Sequence, residues 1–334
     1  MMLIAGDIGG TKTILAAYAH DSSPSKPIVQ RQYVSAQYPN LETITNEFLN
    51  EVNLPIHYAY FAVAGPIING TAKLTNLPWK LSEQGFQRPP GIFSIRLMND
   101  LEAIANSIPH LLPQDIQTIN TGKSQSNGAK AVIAPGTGLG QAYLAWDGHE
   151  YRAHASEGGH ASFAPHNDQE VQLLQYLWKQ MKHVSVESVC SGIGVPNIYD
   201  FVKESQQLKE KPEVVSNFEG IPRSERTRVI FDEALKADEP DAICSKTLVV
   251  FLNILGAETG NLALKQLATS GIYLSGGIAM HLRSVLGDGR FMQTFVEKGR
   301  MSEMLQQIPI HIMLTRAALL GVAGYGLKEL YRHA

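Results

Sequence analysis

The stretch Gly6, Asp7, Ile8, Gly9, Gly10, Thr11 sets three glycines, a carboxylate and a hydroxyl between two apolar runs. Glycine-rich turns after strands bring backbone N–H groups onto phosphoryl oxygens. Two familiar versions of that device are excluded here. A Walker A loop needs glycine directly before its lysine, and Thr11 precedes Lys12. A dinucleotide fingerprint needs a helix after the turn, whereas residues 13–18 are short, apolar and rich in β-branching, and read as a strand. The turn is therefore a hairpin tip, and Asp7 at its bend could hold Mg2+ or its waters. Gly136, Thr137 and Gly138 repeat the pattern inside 131–146, where Gln141 stands in place of the last fingerprint glycine. A third strand, near 271–275, runs into Gly276 and Gly277. The structural alternative for each is a tight turn that uses glycine for its positive φ. Three such turns in one chain favour phosphate.

Asn99 and Asp100 end an apolar strand directly before a helix. Either could simply cap that helix. The carboxyl end of a strand is also where α/β domains bind ligands, and a carboxylate there can accept the proton of an attacking hydroxyl. Glu157 and His160 flank two glycines and project from a turn. No second histidine or cysteine stands at ligand spacing, which argues against a metal and for a pair that hydrogen-bonds polyol hydroxyls. Glu187 follows Ser185, a candidate helix N-cap, and by itself reads as a carboxylate favouring a helix dipole.

The elements that must position these groups alternate. Strand-like runs fall at 2–8, 12–19, 30–36, 58–64 and 92–98, with helical spacing over 41–52 and again after Asp100. Residues 113–130 are polar and read as a connection. A second half opens with the 131–146 hairpin, continues through an exposed charged stretch at 206–228, and has a long apolar helix over about 240–268. It closes with a strand at 308–314 and a helix at 317–331, where Ala317, Gly321 and Gly324 share a face small enough to meet a backbone. Two glycine-tipped hairpins at similar places predict an internal duplication, with the halves facing each other across a cleft. At 334 residues the chain exceeds what one core usually supports. The net charge of −3 gives no case for nucleic acid or an anionic membrane. Cys190 and Cys244, far apart, form no redox pair and fit a reducing compartment. The apolar stretch 248–257 is broken by Asn253 and falls short of the ~20 residues a span needs. The N-terminus lacks a basic region before its first strand. A soluble, cytoplasmic protein is expected.

Taken together, "GDIGGTKT", "MND" at 98–100, "APGTGLG" at 134–140, "EGGHASFAP" at 157–165, "HVSVESVCSG" at 183–192 and "LSGGIA" at 274–279 resemble the non-ROK bacterial glucokinases. That family lies within the sugar kinase, heat-shock ATPase and actin superfamily. The resemblance covers essentially the whole chain. It implies a two-domain α/β, actin-like ATPase (ribonuclease-H-like) fold with an interdomain cleft: a small domain of 1–112 plus 308–334 and a large one of 113–307. It implies ATP-dependent phosphorylation of the glucose 6-hydroxyl, the first step of glycolysis, with ATP and Mg2+ and usually a homodimer. Asp100 would be the base, and Asn99, Glu157, His160 and Glu187 would hold glucose. Gly6 to Thr11 and Gly136 to Gly138 would hold phosphates, with Gly276 and Gly277 near the nucleoside. The role for Glu187 reverses its reading as a helix residue. The chain departs from the family at Lys12, where asparagine is common, and at Ser156, where glycine is common. The ROK kinases' cysteine-rich zinc motif is missing from 160–169, so structural zinc is not expected. Alternatives are a kinase for another hexose on this scaffold, or a non-catalytic sugar sensor. A DNA-binding repressor is disfavoured because the first strand begins at residue 2.

Overall fold

Residues 2–8 and 12–19 are apolar at almost every position, and both form strands covered on two faces. The computed structural model describes residues 1–74 and 77–333. In chain order the first elements are β1 (Met2–Ile8), β2 (Lys12–Ala19), β3 (Val29–Val34), α1 (Leu41–Val52), β4 (Tyr58–Val63), β5 (Thr71–Lys73), β6 (Lys80–Ser82), β7 (Ser94–Asn99) and α2 (Asp100–Ser107). Next come β8 (Ile116–Asn120), β9 (Lys130–Pro135), β10 (Leu139–Trp146), β11 (Tyr151–Ser156), α3 (Asp168–Trp178), α4 (Val195–Ser205), α5 (Pro212–Phe218), α6 (Thr227–Ala234) and α7 (Ala242–Gln266). The last are β12 (Gly271–Leu274), α8 (Gly276–His281), α9 (Arg290–Val296), α10 (Ser302–Gln306), β13 (Ile310–Met313) and α11 (Ala317–His333).

These elements gather into two compact units. One holds Met1–Asp115, Asp147–Ala155 and Thr315–Ala334, the other Ile116–Trp146 and Ser156–Leu314. The division differs from the expected boundaries at 112/113 and 307/308. β13 hydrogen-bonds parallel to β12 and antiparallel to β8, so its backbone is completed within the second unit. The segment 147–155 belongs to the first unit, where Glu150 accepts hydrogen bonds from Lys328 and Arg332 of α11.

The first unit's sheet runs β3-β2-β1-β4-β7, with β1, β4 and β7 parallel and the β1–β2 and β2–β3 pairs antiparallel. One face packs on α1 through Leu41, Ile44 and Phe48. Asn40 caps that helix, its side chain accepting from Thr43 N–H at 2.9 Å, so it begins where the apolar spacing begins. The other face packs on α11 through Val322, Ala323 and Leu327. A Cβ at Gly321 would collide with the Ala103 carbonyl of α2, and this glycine lets the two helix backbones touch.

Within the second unit the strand order is β10-β9-β12-β13-β8. The β9–β10 pair is an antiparallel hairpin and β9, β12 and β13 are parallel, so β2-β1-β4-β7 and β10-β9-β12-β13 repeat one pattern. β8 lies inside the stretch expected to be a connection. It is an edge strand, partly exposed along its length, so it carries no apolar alternation to announce it. Helix α7 is long and apolar enough to cross a membrane by length and composition, but most of it is buried, and it runs through this unit's core.

Candidate active site

Ile8, Val63 and Asn99 stand in one row across the parallel strands β1, β4 and β7. The first hairpin turn and the Asn99–Asp100 step therefore leave the same edge of the sheet, two strand spacings or about 10 Å apart. Asp7, one residue before the end of β1, is half-buried, and burial raises its pKa above the ordinary carboxylate value while the charge of Arg316 opposes the rise. A hard oxygen ligand so placed fits a divalent cation or its waters, whose charge would repay the desolvation. At the tip, Gly9 N–H donates to Lys12 O at 3.0 Å, Ser35 Oγ donates to Gly9 O at 2.8 Å, and Ser35 N–H donates to Thr11 O. Gly10 and Thr11 remain at the accessible tip. Gly6 and Ile8, by contrast, are buried. A Cβ on Gly6 would come within 2.6 Å of Phe61 and 2.7 Å of Leu15, so packing accounts for that glycine. None of Gly6, Gly9, Gly10, Gly136 and Gly138 has a positive φ, which removes the turn-strain explanation for both hairpins.

Asn99 is the N-cap of α2. Its Oδ1 accepts from Leu101 N–H at 2.9 Å and Glu102 N–H at 3.2 Å, and its Nδ2 donates to Gly65 O at 2.9 Å. The structural reading of this residue is thus realised in full. Asp100 follows as the first residue of α2, half-buried, with Oδ1 accepting from Leu101 N–H at 3.0 Å.

In the second unit, a neighbouring pair, Glu157 and His160, meets the sequence-distant Glu187. His160 Nε2 lies 3.8 Å from Glu157 Oε2, and His160 Nδ1 lies 3.8 Å from Glu187 Oε1. Main-chain bonds hold the arrangement: Glu187 N–H donates to Gly159 O, and Val186 N–H to Ala161 O. The other Glu187 oxygen accepts from Leu139 N–H at 2.9 Å and occupies the space a Cβ on Gly138 would need. Glu187 thus joins the second hairpin to the Glu157–His160 pair. It does not begin a helix: the next one, α4, starts at Val195. The hairpin turn is braced from beneath, with Gly192 N–H donating to Gly136 O at 2.7 Å and Ile193 N–H to Thr137 O at 3.1 Å. Gly276 has φ 88°, and a Cβ there would lie 2.7 Å from Pro135 O, so glycine is required beside the same turn.

A cavity of about 550 Å³ opens between Gly136, Thr137, Gly192 and Gly277, walled by Arg228 and Phe231. Its size suits a nucleoside. Sequence reading placed 206–228 on an exposed charged surface and missed that Ser224, Glu225, Thr227 and Arg228 line this cavity. The helical spacing of Thr227, Ile230 and Phe231 was the available signal: all three are buried on one face of α6, and Thr227 Oγ1 donates to Gly192 O. Cys190 is buried nearby, where desolvation pushes its thiol up and removes it as a nucleophile.

The glucokinase family model matches residues 4–329 of the sequence. The chain belongs to the glucokinase family. A glucokinase of Trichormus variabilis is 41% identical over 336 residues, covering 96% of this chain and 98% of that one. Among solved structures, a glucokinase from an Antarctic psychrotroph superposes with a TM-score of 0.83 at 30% identity, over 97% of this chain and 98% of that one. A ROK-family glucokinase from Streptomyces griseus, solved in complex with glucose and AMPPNP, has a TM-score of 0.62 at 16% identity, over the whole of both chains. This glucokinase-family chain has the actin-like ATPase fold, and the repeated strand pattern is the duplication that fold contains.

Proposed function

We propose that the chain transfers the γ-phosphoryl group of ATP to the 6-hydroxyl of glucose. The observation that carries this reading is the double use of Glu187, which braces the Gly136–Thr137–Gly138 hairpin and faces His160 of the polyol-binding cluster. The proposed roles divide by unit. The second unit supplies Glu157, His160 and Glu187 to the sugar hydroxyls, and the cavity beside Gly277 and Arg228 to the nucleoside. The first unit supplies Asp100 as general base and the Gly9 to Thr11 turn as a backbone cradle for phosphate. Asn99 acts chiefly by fixing the start of α2, and its buried amide would reach the sugar only beside those bonds. In the transfer, the 6-oxygen bonds to the γ-phosphorus as the bond to the β-phosphate bridging oxygen breaks, and Asp100 accepts the hydroxyl proton. A bound Mg2+, held through water by Asp7, would supply charge neutralisation on the phosphates. Most of the acceleration comes from positioning and charge stabilisation, with the base contributing about 10²–10⁴-fold. Two buried free thiols support a cytoplasmic setting, and the family resemblance supports a homodimer.

ADP release measured over a panel of hexoses and phosphoryl donors tests the proposal. ATP with glucose is expected to give ADP and glucose 6-phosphate in equal amounts and the highest kcat/KM. A higher value with mannose, fructose or an amino sugar would reassign the substrate, and no turnover with any pair would leave a sugar sensor.

A further inference from the structure

The glycines of the 157–160 turn lie directly on β10. A Cβ on Gly159 would run into Leu139 O, and one on Gly158 would run into Gln141 Oε1. The turn carrying Glu157 and His160 thus rests on one main-chain carbonyl and one side-chain amide. That amide is 3% exposed, on a strand whose opposite residue is Ile133. Its Nε2 donates to Glu258 Oε1 at 2.8 Å, and Glu258, 5% exposed in the middle of α7, accepts from Asn261 Nδ2 at 3.1 Å on its other oxygen. Lys298 is the cation that senses Glu258 and Glu170; burial lowers its pKa and these carboxylates oppose the shift.

A buried amide and carboxylate add little to stability that apolar residues of equal volume would not add. What they add is direction, because a hydrogen bond fixes the orientation of the amide where van der Waals packing leaves it free. We propose that Gln141 and Glu258 are positioning residues for the sugar-binding turn. Glu258 fixes the Gln141 amide, and Gln141 Oε1 sets the height of Gly158 and with it the Glu157 and His160 side chains. The far end of the same segment is pinned in a similar way. His166 Nδ1 pairs with Glu170 Oε2 at 2.9 Å, and Asn167 and Glu170 cap α3 reciprocally. This proposal rests on the assignment of Glu157 and His160 to glucose.

The test is steady-state kinetics of the full chain carrying Gln141→Met, which keeps the side-chain length and removes both amide functions. Glucose KM is expected to rise roughly ten-fold, with kcat at saturating glucose and the KM for ATP within about two-fold of the parent. Glu258→Gln keeps an oxygen for Gln141 Nε2 and should retain near-parent kinetics, whereas Glu258→Met, of similar length but without the acceptor, should raise glucose KM as Gln141→Met does. Equal kinetics of the two Glu258 variants would overturn the proposal. Gln141→Asn, too short to reach Glu258 and Gly158 together, gives a second reading if the methionine variant does not fold. A lowered Tm with unchanged glucose KM in the folded variants would overturn the proposal. Glu157→Ala in the same assay separates the two ideas. If it leaves glucose KM unchanged, the sugar assignment itself fails; if it raises KM while Gln141→Met does not, only the positioning role fails.

Discussion

His160 Nδ1 faces Glu187 Oε1 at 3.8 Å, although the two residues belong to separate sequence motifs. Because the second Glu187 oxygen holds Leu139 N–H, the carboxylate serves both sides of its site. Glu187→Gln keeps an acceptor for Leu139 and removes the charge toward His160. It should raise glucose KM several-fold with ATP KM nearly unchanged, by the logic that separates ground-state binding terms. Glu187→Ala should raise both constants, and equal behaviour of the two variants would rule out the shared role.

Asp100→Asn is isosteric and keeps the first turn of α2, but the amide cannot take a proton. The expected result is a kcat lower by about 100-fold or more with glucose affinity retained. A kcat within a few-fold of the parent would remove Asp100 as the base.

Asp7 titrates above its ordinary value because burial disfavours its charge, and Arg316 only partly offsets this. The folded state therefore holds that proton more tightly than the unfolded state. Stability is gained as pH falls through the raised pKa and lost as pH rises through it. Asp7→Asn should raise Tm at neutral pH, lose that advantage below the ordinary aspartate pKa, and impair ATP·Mg use. Thermal melts of both proteins across pH measure the first two outcomes. A variant less stable at neutral pH would contradict the sign.

Asn99→Ala removes the acceptor for two helix N–H groups and the donor to Gly65. A loss of about 1–2 kcal/mol is expected for a cap of this kind. Denaturant midpoints report the stability change, and kcat should fall as well, because α2 carries Asp100. Unchanged stability would mean that water replaces the cap.

Gly276→Ala forces a side chain onto φ 88° and sets its Cβ 2.7 Å from Pro135 O. The left-handed conformation alone costs about 1–2 kcal/mol. ATP KM should rise while glucose KM stays near the parent value, and a glucose-only effect would place this turn at the wrong substrate.

The residues of this chain by themselves determined its local elements. Apolar spacing over 41–52 with Asn40 ahead of it is sufficient to define α1, and the glycine-tipped hairpins at 6–11 and 136–138 follow from short apolar runs on either side. The small residues of α11 likewise announced a close contact, which Gly321 makes with Ala103. Only the tertiary structure decided which distant residues share a site. Glu187 read alone as a helix residue, and its carboxylate acquires its role from Leu139 N–H and His160. Gln141 looked like a failed fingerprint position and is a buried support beneath Gly158. β8 has no alternation to display, since an edge strand needs only backbone pairing with β13. Periodicity encodes the direction in which a side chain leaves its own element, a property of adjacent residues. Which partner it meets depends on strand order and helix packing, and those are settled by burial summed over the whole chain.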